Sequence, residues 1–207
     1  MSNCMVSTDT VVFTVGHSNH AAGAFLMLLR QNDITEVLDV RSAPYSRYAR
    51  HFNKSPLEDL LRSEGIGYKY MGHSLGGPGR DHPGADERVD LESIRQTERY
   101  RQGLERVTLL AQNRRVALMC SENDPMRCHR FVLLSRDLES LGLRVLHILR
   151  GGSTTSQSEL EQDMVREYFG EFVQASLFSD TEPESLLQRA YRLRAEDMGL
   201  SGEEGES

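Results

Sequence analysis

An α/β fold is what the sequence predicts: a single Rossmann-like domain with a mostly parallel sheet of about five strands, flanked by helices and followed by C-terminal helices. Two observations predict it. Short β-branched or apolar runs alternate with stretches of helical periodicity along most of the chain. One complete β-α-β unit also stands out, in which Val116-Ala117-Leu118-Met119-Cys120 is followed by a polar loop, an amphipathic stretch and a second run, Val145-Leu146-His147-Ile148.

The elements follow in order. Residues 1–10 are polar and loose, with Cys4 given no role. Val11-Val12-Phe13-Thr14-Val15 is a strand ended by Gly16-His17-Ser18-Asn19, and Phe25, Leu26, Leu28 and Leu29 mark the next helix. Residues 34–40 form a second strand, which opens at Asp39-Val40-Arg41 into a polar, aromatic and locally basic loop containing Tyr45, Arg47, Tyr48 and Arg50. Ser55-Pro56-Leu57-Glu58 has the spacing of a capping box, Leu57, Leu60 and Leu61 give a buried stripe, and Gly65 ends that helix before a strand over residues 66–70.

Residues 71–86 hold Leu75-Gly76-Gly77-Pro78-Gly79-Arg80, a loop suited to a lid or ligand cradle, or simply to flexibility. Residues 91–112 read as one or two helices with a break near Gly103. After Cys120, Asp124 and Pro125 supply an N-cap and a first-turn proline, so a helix should begin near Pro125 with Cys128 and His129 in its first turns. Phe131, Leu134, Leu138 and Leu141 give it one core face, and Gly142 stops it. The main domain is thus 11–150. Gly151-Gly152-Ser153-Thr154-Thr155-Ser156 looks like a boundary to a linker and C-terminal helices over 151–198, built on Leu160, Met164, Tyr168 and Phe172 and then on Leu186, Leu187, Tyr191 and Leu193. An acidic, disordered tail is expected over 199–207.

With 207 residues and 38% hydrophobic content, the chain can build a core by itself. A net charge of -7 disfavours a general nucleic-acid or anionic-membrane surface, while leaving room for a local basic pocket. Three cysteines fit reduced thiols in a cytoplasm better than a disulfide framework. No apolar run approaches the roughly 20 residues of a membrane span, and no signal pattern opens the chain. Neither G-x-G-x-x-G nor G-x-x-x-x-G-K-[ST] is present.

Thr14-Val15-Gly16-His17-Ser18-Asn19, Asp39-Val40-Arg41-Ser42 with Pro44 and Ser46, Phe52-Asn53-Lys54, Leu75-Gly76-Gly77, and Cys120-Ser121-Glu122 with Pro125 and Cys128-His129-Arg130 occur in that order. Together they resemble the domain of unknown function 488 family over about residues 11–148, with Met126 where the family carries an aromatic residue. The resemblance implies a small α/β domain whose motif residues share a site, and it supplies no substrate.

The chemistry gathers at the strand ends, where open α/β sheets bind ligands. Cys120 and Cys128 are the candidate nucleophile or redox thiols, Cys128 because a helix N-terminus and neighbouring cations favour thiolate; both also suit the core as small apolar residues. His17, Asp39 and Glu122 are the candidate acid-base groups, and Asp39 has the alternative of pairing with Arg41. Arg41, Arg47, Arg127 and Arg130, with His129, Ser18 and the backbone at Gly16, Gly76 and Gly77, are the candidate contacts to an anionic, phosphate- or nucleotide-like ligand. Tyr45 and Tyr48 suit stacking on a flat ring or packing of their own loop. A zinc site on Cys120, Cys128 and His129 has the right donors, but adjacent residues on a helix point to different sides, so no metal and no other cofactor is expected. Oligomeric state is not legible. The leading expectation is a cytoplasmic enzyme binding a small anionic ligand, with a thiol-dependent step of hydrolase or transferase type. The alternatives are sulfur transfer through Cys120, on a looser similarity to rhodanese-type sulfurtransferases, and a non-catalytic ligand- or partner-binding module with structural cysteines.

Overall fold

A computed structural model describes residues 10–77, 91–170 and 185–200. The expectations for Cys4 and the loose N-terminus, for Pro78-Gly79-Arg80, for Phe172 and for the tail beyond Leu200 fall outside those residues.

Six strands form one sheet: β1 (Val11–Gly16), β2 (Glu36–Asp39), β3 (Gly67–Tyr70), β4 (Val116–Cys120), β5 (Arg144–Ile148) and β6 (Thr154–Ser156), in the order β3-β2-β4-β1-β5-β6. All pairings are parallel except that of β5 with β6. The sixth strand lies where the Gly-Gly-Ser-Thr-Thr run reads as a boundary. That run instead turns at Gly152, which has φ of 92°, and returns antiparallel along β5, so the sheet continues past residue 150.

β4 is central, and all five of its residues are buried, which explains its unbroken apolar run. Alternate side chains feed two cores. Ala117 and Met119 join Phe13, Val15 and Val37 under α1 (Ala22–Gln31) and α2 (Lys54–Ser63). Val116, Leu118 and Cys120 face the other layer, and α3 (Gly72–Leu75) contributes Leu75 to it. That layer is built from α4 (Leu91–Gln96), α5 (Glu98–Ala111), α6 (Arg136–Ser140), α7 (Gln157–Phe169) and α8 (Leu186–Asp197). Burying each such side chain contributes roughly 1.5–3 kcal/mol. Leu160, Met164, Ala190 and Tyr191 belong to this second core, so the C-terminal helices complete it. No helix among the described residues is long and apolar enough to cross a membrane.

Several local expectations are corrected. The Ser55–Glu58 capping box does not form: α2 starts two residues earlier, with Asn53 at its N-cap, and the Asn53 side-chain Oδ1 accepts instead from the Ser46 amide at 2.6 Å. Gly103 does not break a helix. The break falls at Thr97, whose hydroxyl caps α5, and a side chain at Gly103 would collide with Leu75 of α3.

The largest correction follows β4. Pro125–Arg127 makes one 3₁₀ turn, capped by Asp124, and Cys128 is then extended at φ -134°, ψ 145°. A wide π-type stretch, Arg130–Ser135, leads into α6. Cys128 therefore precedes the helix rather than occupying its first turn. Val132 and Leu133 are buried as fully as Phe131 and Leu134, because this segment is covered by the sheet on one side and α8 on the other, while Leu141 ends up 45% exposed.

Candidate functional site

The connection leaving β1 crosses β4 to reach β2, and the one leaving β4 crosses β1 to reach β5. Their helices, α1 and α6, lie on opposite faces of the sheet. The carboxyl ends of β1 and β4 thus form the switch point at which such sheets open a crevice. Gly16 is paired with Cys120 there.

The two strand ends are tied together by main chain. His17 N-H donates to the Cys120 carbonyl and Ser18 N-H to the Ser121 carbonyl, each at 2.9 Å. Ser18 takes a left-handed φ of 43° at this turn. A side chain on Gly16 would overlap the Glu122 carbonyl, so glycine is required by close approach of the second loop. Arg130, fully buried, holds that loop from beneath: its Nη2 donates to the carbonyls of Glu122 (2.6 Å) and Asn123 (3.1 Å), and its Nη1 to Thr14 Oγ1 (3.4 Å). Gly16 and Arg130 are spent on protein partners, whereas Ser18 also borders the larger of the two open lobes above the site.

Cys120 and Cys128 are free thiols, both buried. Their sulfurs share one neighbour: His129 Nδ1 lies 3.5 Å from Cys128 Sγ and 3.8 Å from Cys120 Sγ. All three donor atoms fall within 4.8 Å of one another, the only such cluster of possible metal ligands among the described residues. His129 Nε2 sits 3.2 Å from the Leu75 carbonyl, an acceptor only, which puts a proton on Nε2 and turns Nδ1 toward the sulfurs. Gly77 passes so close over the ring that a side chain there would strike it, and Gly76 packs against Gly72 and Ser42. The two glycines are therefore packing contacts for the site before they are a cradle. A hydrogen bond from Cys128 is the main cause holding the Cys120 thiol well below its usual range, against burial and with help from His129 and Arg130. Burial, followed by that same bond, pushes Cys128 well up. Of the two candidate thiols, Cys120 is the one held toward thiolate, and Cys128 lacks the helix N-terminus expected to favour it.

Asp39 is fully buried and fully engaged. Its Oδ1 accepts from Arg41 N-H (3.1 Å) and Nε (2.8 Å), and its Oδ2 from Arg41 Nη2 (2.5 Å) and the Tyr68 hydroxyl (2.7 Å). Burial and then the Asp39 carboxylate push the Tyr68 hydroxyl up, so it remains a donor. Arg41 Nη1 donates to His17 Nε2 at 3.0 Å, and His17 Nδ1 donates to the Ser18 carbonyl at 2.9 Å. Burial, reinforced by Arg41, lowers His17 to about 4, so the ring is neutral near pH 7. Both its nitrogens are used by the protein, and the ring stacks on Phe52 at 4.4 Å. Asp39 and His17 are thus both engaged with Arg41.

Above these groups lie two open lobes, of about 290 Å³ and 560 Å³. Arg41, Ala43, Ser121 and Glu122 border both. The smaller has Cys120, Cys128 and His129 in its wall; the larger has His17, Tyr45, Tyr48 and His51. Glu122 is exposed at the shared rim, and Arg127, 75% exposed, lies 3.7 Å from Asp124. Arg47 is exposed and lines neither lobe. Tyr48 is 99% exposed, so it does not pack its own loop. Sequence reasoning missed Tyr68, which sits on β3 opposite Val37 and reaches Asp39 two residues on, and Met198 and Leu200, which reach the smaller lobe from beyond α8 with no signal in the sequence.

The family model described as Domain of unknown function DUF488 matches residues 21–136, from just before α1 to the start of α6. No curated protein and no solved structure gives a significant match.

Proposed function

From the premise that the chain belongs to the DUF488 family, we propose that it is an enzyme whose thiol-dependent step is carried by Cys120, acting on a small molecule held at the carboxyl ends of β1 and β4. The observation that carries this reading is the position of Cys120: the residue borders the smaller lobe at the switch point, and its Sγ lies 3.8 Å from His129 Nδ1, which also contacts Cys128 Sγ. In that arrangement His129 Nδ1 takes the Cys120 proton, the Cys128 thiol donates to the resulting thiolate, and the sulfur bonds to an electrophilic centre in the lobe as the bond to its leaving group breaks, that group taking the proton from His129 Nδ1. Arg41, fixed in orientation by Asp39 and His17, and Arg127 at the rim are the cations available to an anionic group of the substrate. The exposed Tyr45 and Tyr48 border the larger lobe, which suits a ligand with a flat ring. Reduced thiols fit a cytoplasmic setting.

The test is alkylation of the reduced, metal-free, folded protein by iodoacetamide, with peptide mass mapping. Cys120 is expected to be labelled in the native fold, and Cys128 only after unfolding. A Cys120 that stays unlabelled until denaturation would make both cysteines core residues and remove the reading.

A further inference from the structure

Cys120 Sγ, Cys128 Sγ and His129 Nδ1 all lie within 4.8 Å of one another, and we infer that they form an open Cys₂His site for a thiophilic divalent cation, zinc foremost. Zinc binds thiolate sulfur at about 2.3 Å and imidazole nitrogen at about 2.0–2.1 Å, which sets the sulfur-to-nitrogen edges of a tetrahedron near 3.6 Å. The observed edges are 3.5 Å and 3.8 Å. Both sulfur-to-nitrogen edges are therefore already at the spacing one zinc ion would set.

Three further features belong to such a site. The outer nitrogen of the imidazole is held by the Leu75 carbonyl, the support that metal-bound histidines ordinarily have, and it leaves Nδ1 free to ligate. The donors are buried, yet Cys120, Cys128 and His129 all border the smaller lobe, so a fourth position opens toward solvent or substrate. Three protein ligands with one open position is the pattern of a site that exchanges a ligand, not of a closed structural one. The charges also balance: binding one divalent ion releases the two thiol protons to solvent and gives a neutral cluster, with Arg130 as the neighbouring cation.

The consequence concerns regulation, and this part rests on the thiol chemistry proposed above. With the ion bound, Cys120 Sγ is a ligand and its lone pair is no longer free to attack, so metal occupancy silences the thiol. The chelated protein is the reactive one.

Titration of reduced, chelator-treated protein with Co²⁺ tests the site, read by the near-ultraviolet thiolate-to-metal charge-transfer band and the visible bands of tetrahedral cobalt. Saturation at one ion per chain is expected, with the charge-transfer band cut by about half in each of Cys120→Ser and Cys128→Ser and visible bands altered in His129→Ala. No band in the wild type, or a band unchanged in both serine variants, would overturn the site. Circular dichroism identifies any variant that has lost its fold. In the wild type, one equivalent of Zn²⁺ should slow iodoacetamide labelling of Cys120 at least tenfold, with recovery after chelation. A cobalt spectrum with the expected ligand dependence, combined with a Cys120 that is inert even without metal, would keep the site and sink the thiol reading. Free labelling of Cys120 with no cobalt spectrum would do the reverse.

Discussion

Acid should destabilise this protein through a histidine remote from the thiols. His147 on β5 is fully buried, with Nε2 2.9 Å from Gln157 Oε1 and Nδ1 2.8 Å from Thr14 Oγ1. The Gln157 amide donates to the Phe131 carbonyl and the Tyr191 hydroxyl, so its oxygen is left to accept from Nε2-H, and Nδ1 must accept from Thr14. A second ring proton has no place. Burial, and after it Arg130, brings His147 down to about 4 from an unfolded value of 6.5. Over that interval the unfolded chain binds a proton that the native state does not, so stability is intact above about pH 6.5 and falls as the pH drops toward 4. By linkage, His147 alone removes about 2 kcal/mol between pH 7 and pH 5, on the order of one pKa unit and a half. His17, lowered to about 4 as well, adds a similar loss. Urea unfolding of the wild type and His147→Gln at both pH values isolates the effect, because contributions from other groups cancel in the double difference. The variant's loss between pH 7 and pH 5 should be smaller by about 2 kcal/mol, whatever its absolute stability. Equal losses would mean that His147 is not held neutral by its surroundings.

Other perturbations test the frame of the site. Asp39→Asn leaves the buried Arg41 guanidinium uncompensated and should lower unfolding free energy by about 3–5 kcal/mol; a change below about 1 kcal/mol would show that the pair is not what holds Arg41. Gly16→Ala forces the Glu122 carbonyl away from β1 and is expected to cost about 1–3 kcal/mol, seen as a lower Tm, and an unchanged Tm would contradict the close approach. Arg130→Met removes the donors to the Glu122 and Asn123 carbonyls, a loss of about 2–3 kcal/mol. Hydrogen exchange at residues 121–124 should accelerate in that variant, and unaltered exchange would mean that the loop is held by something else.

Much of the frame is legible in the sequence because it depends on local pattern. A continuous apolar run with a polar stop placed Cys120 at a strand end, and the alternation of such runs with helical periodicity gave the parallel sheet. What local pattern cannot carry is the direction in which a polar side chain is spent. Arg130 looks like an anion clamp in sequence, and its burial under the Cys120 loop, where two carbonyls take its hydrogen bonds, is a tertiary fact. Asp39 and His17 suit acid-base work by residue type, and only their shared contact with Arg41 across two strands makes them positioning groups. β6 was missed because three residues rich in threonine and serine have no hydrophobic signature of their own; pairing with β5 makes them a strand.

The sequence by itself determined the layering of the protein and the neighbourhood of its site, since apolar periodicity fixes which faces are buried and the parallel topology brings the ends of β1 and β4 side by side. Tertiary structure alone decided the chemistry within that neighbourhood. Cys128 and His129 are adjacent, and on a regular helix they would diverge. The chain instead turns at Pro125–Arg127, extends at Cys128 and only then becomes helical, which brings two sulfurs and a ring nitrogen to one point. The three donors come from the end of β4 and from the segment that precedes α6, so their meeting depends on how those two pieces pack, which no local pattern carries.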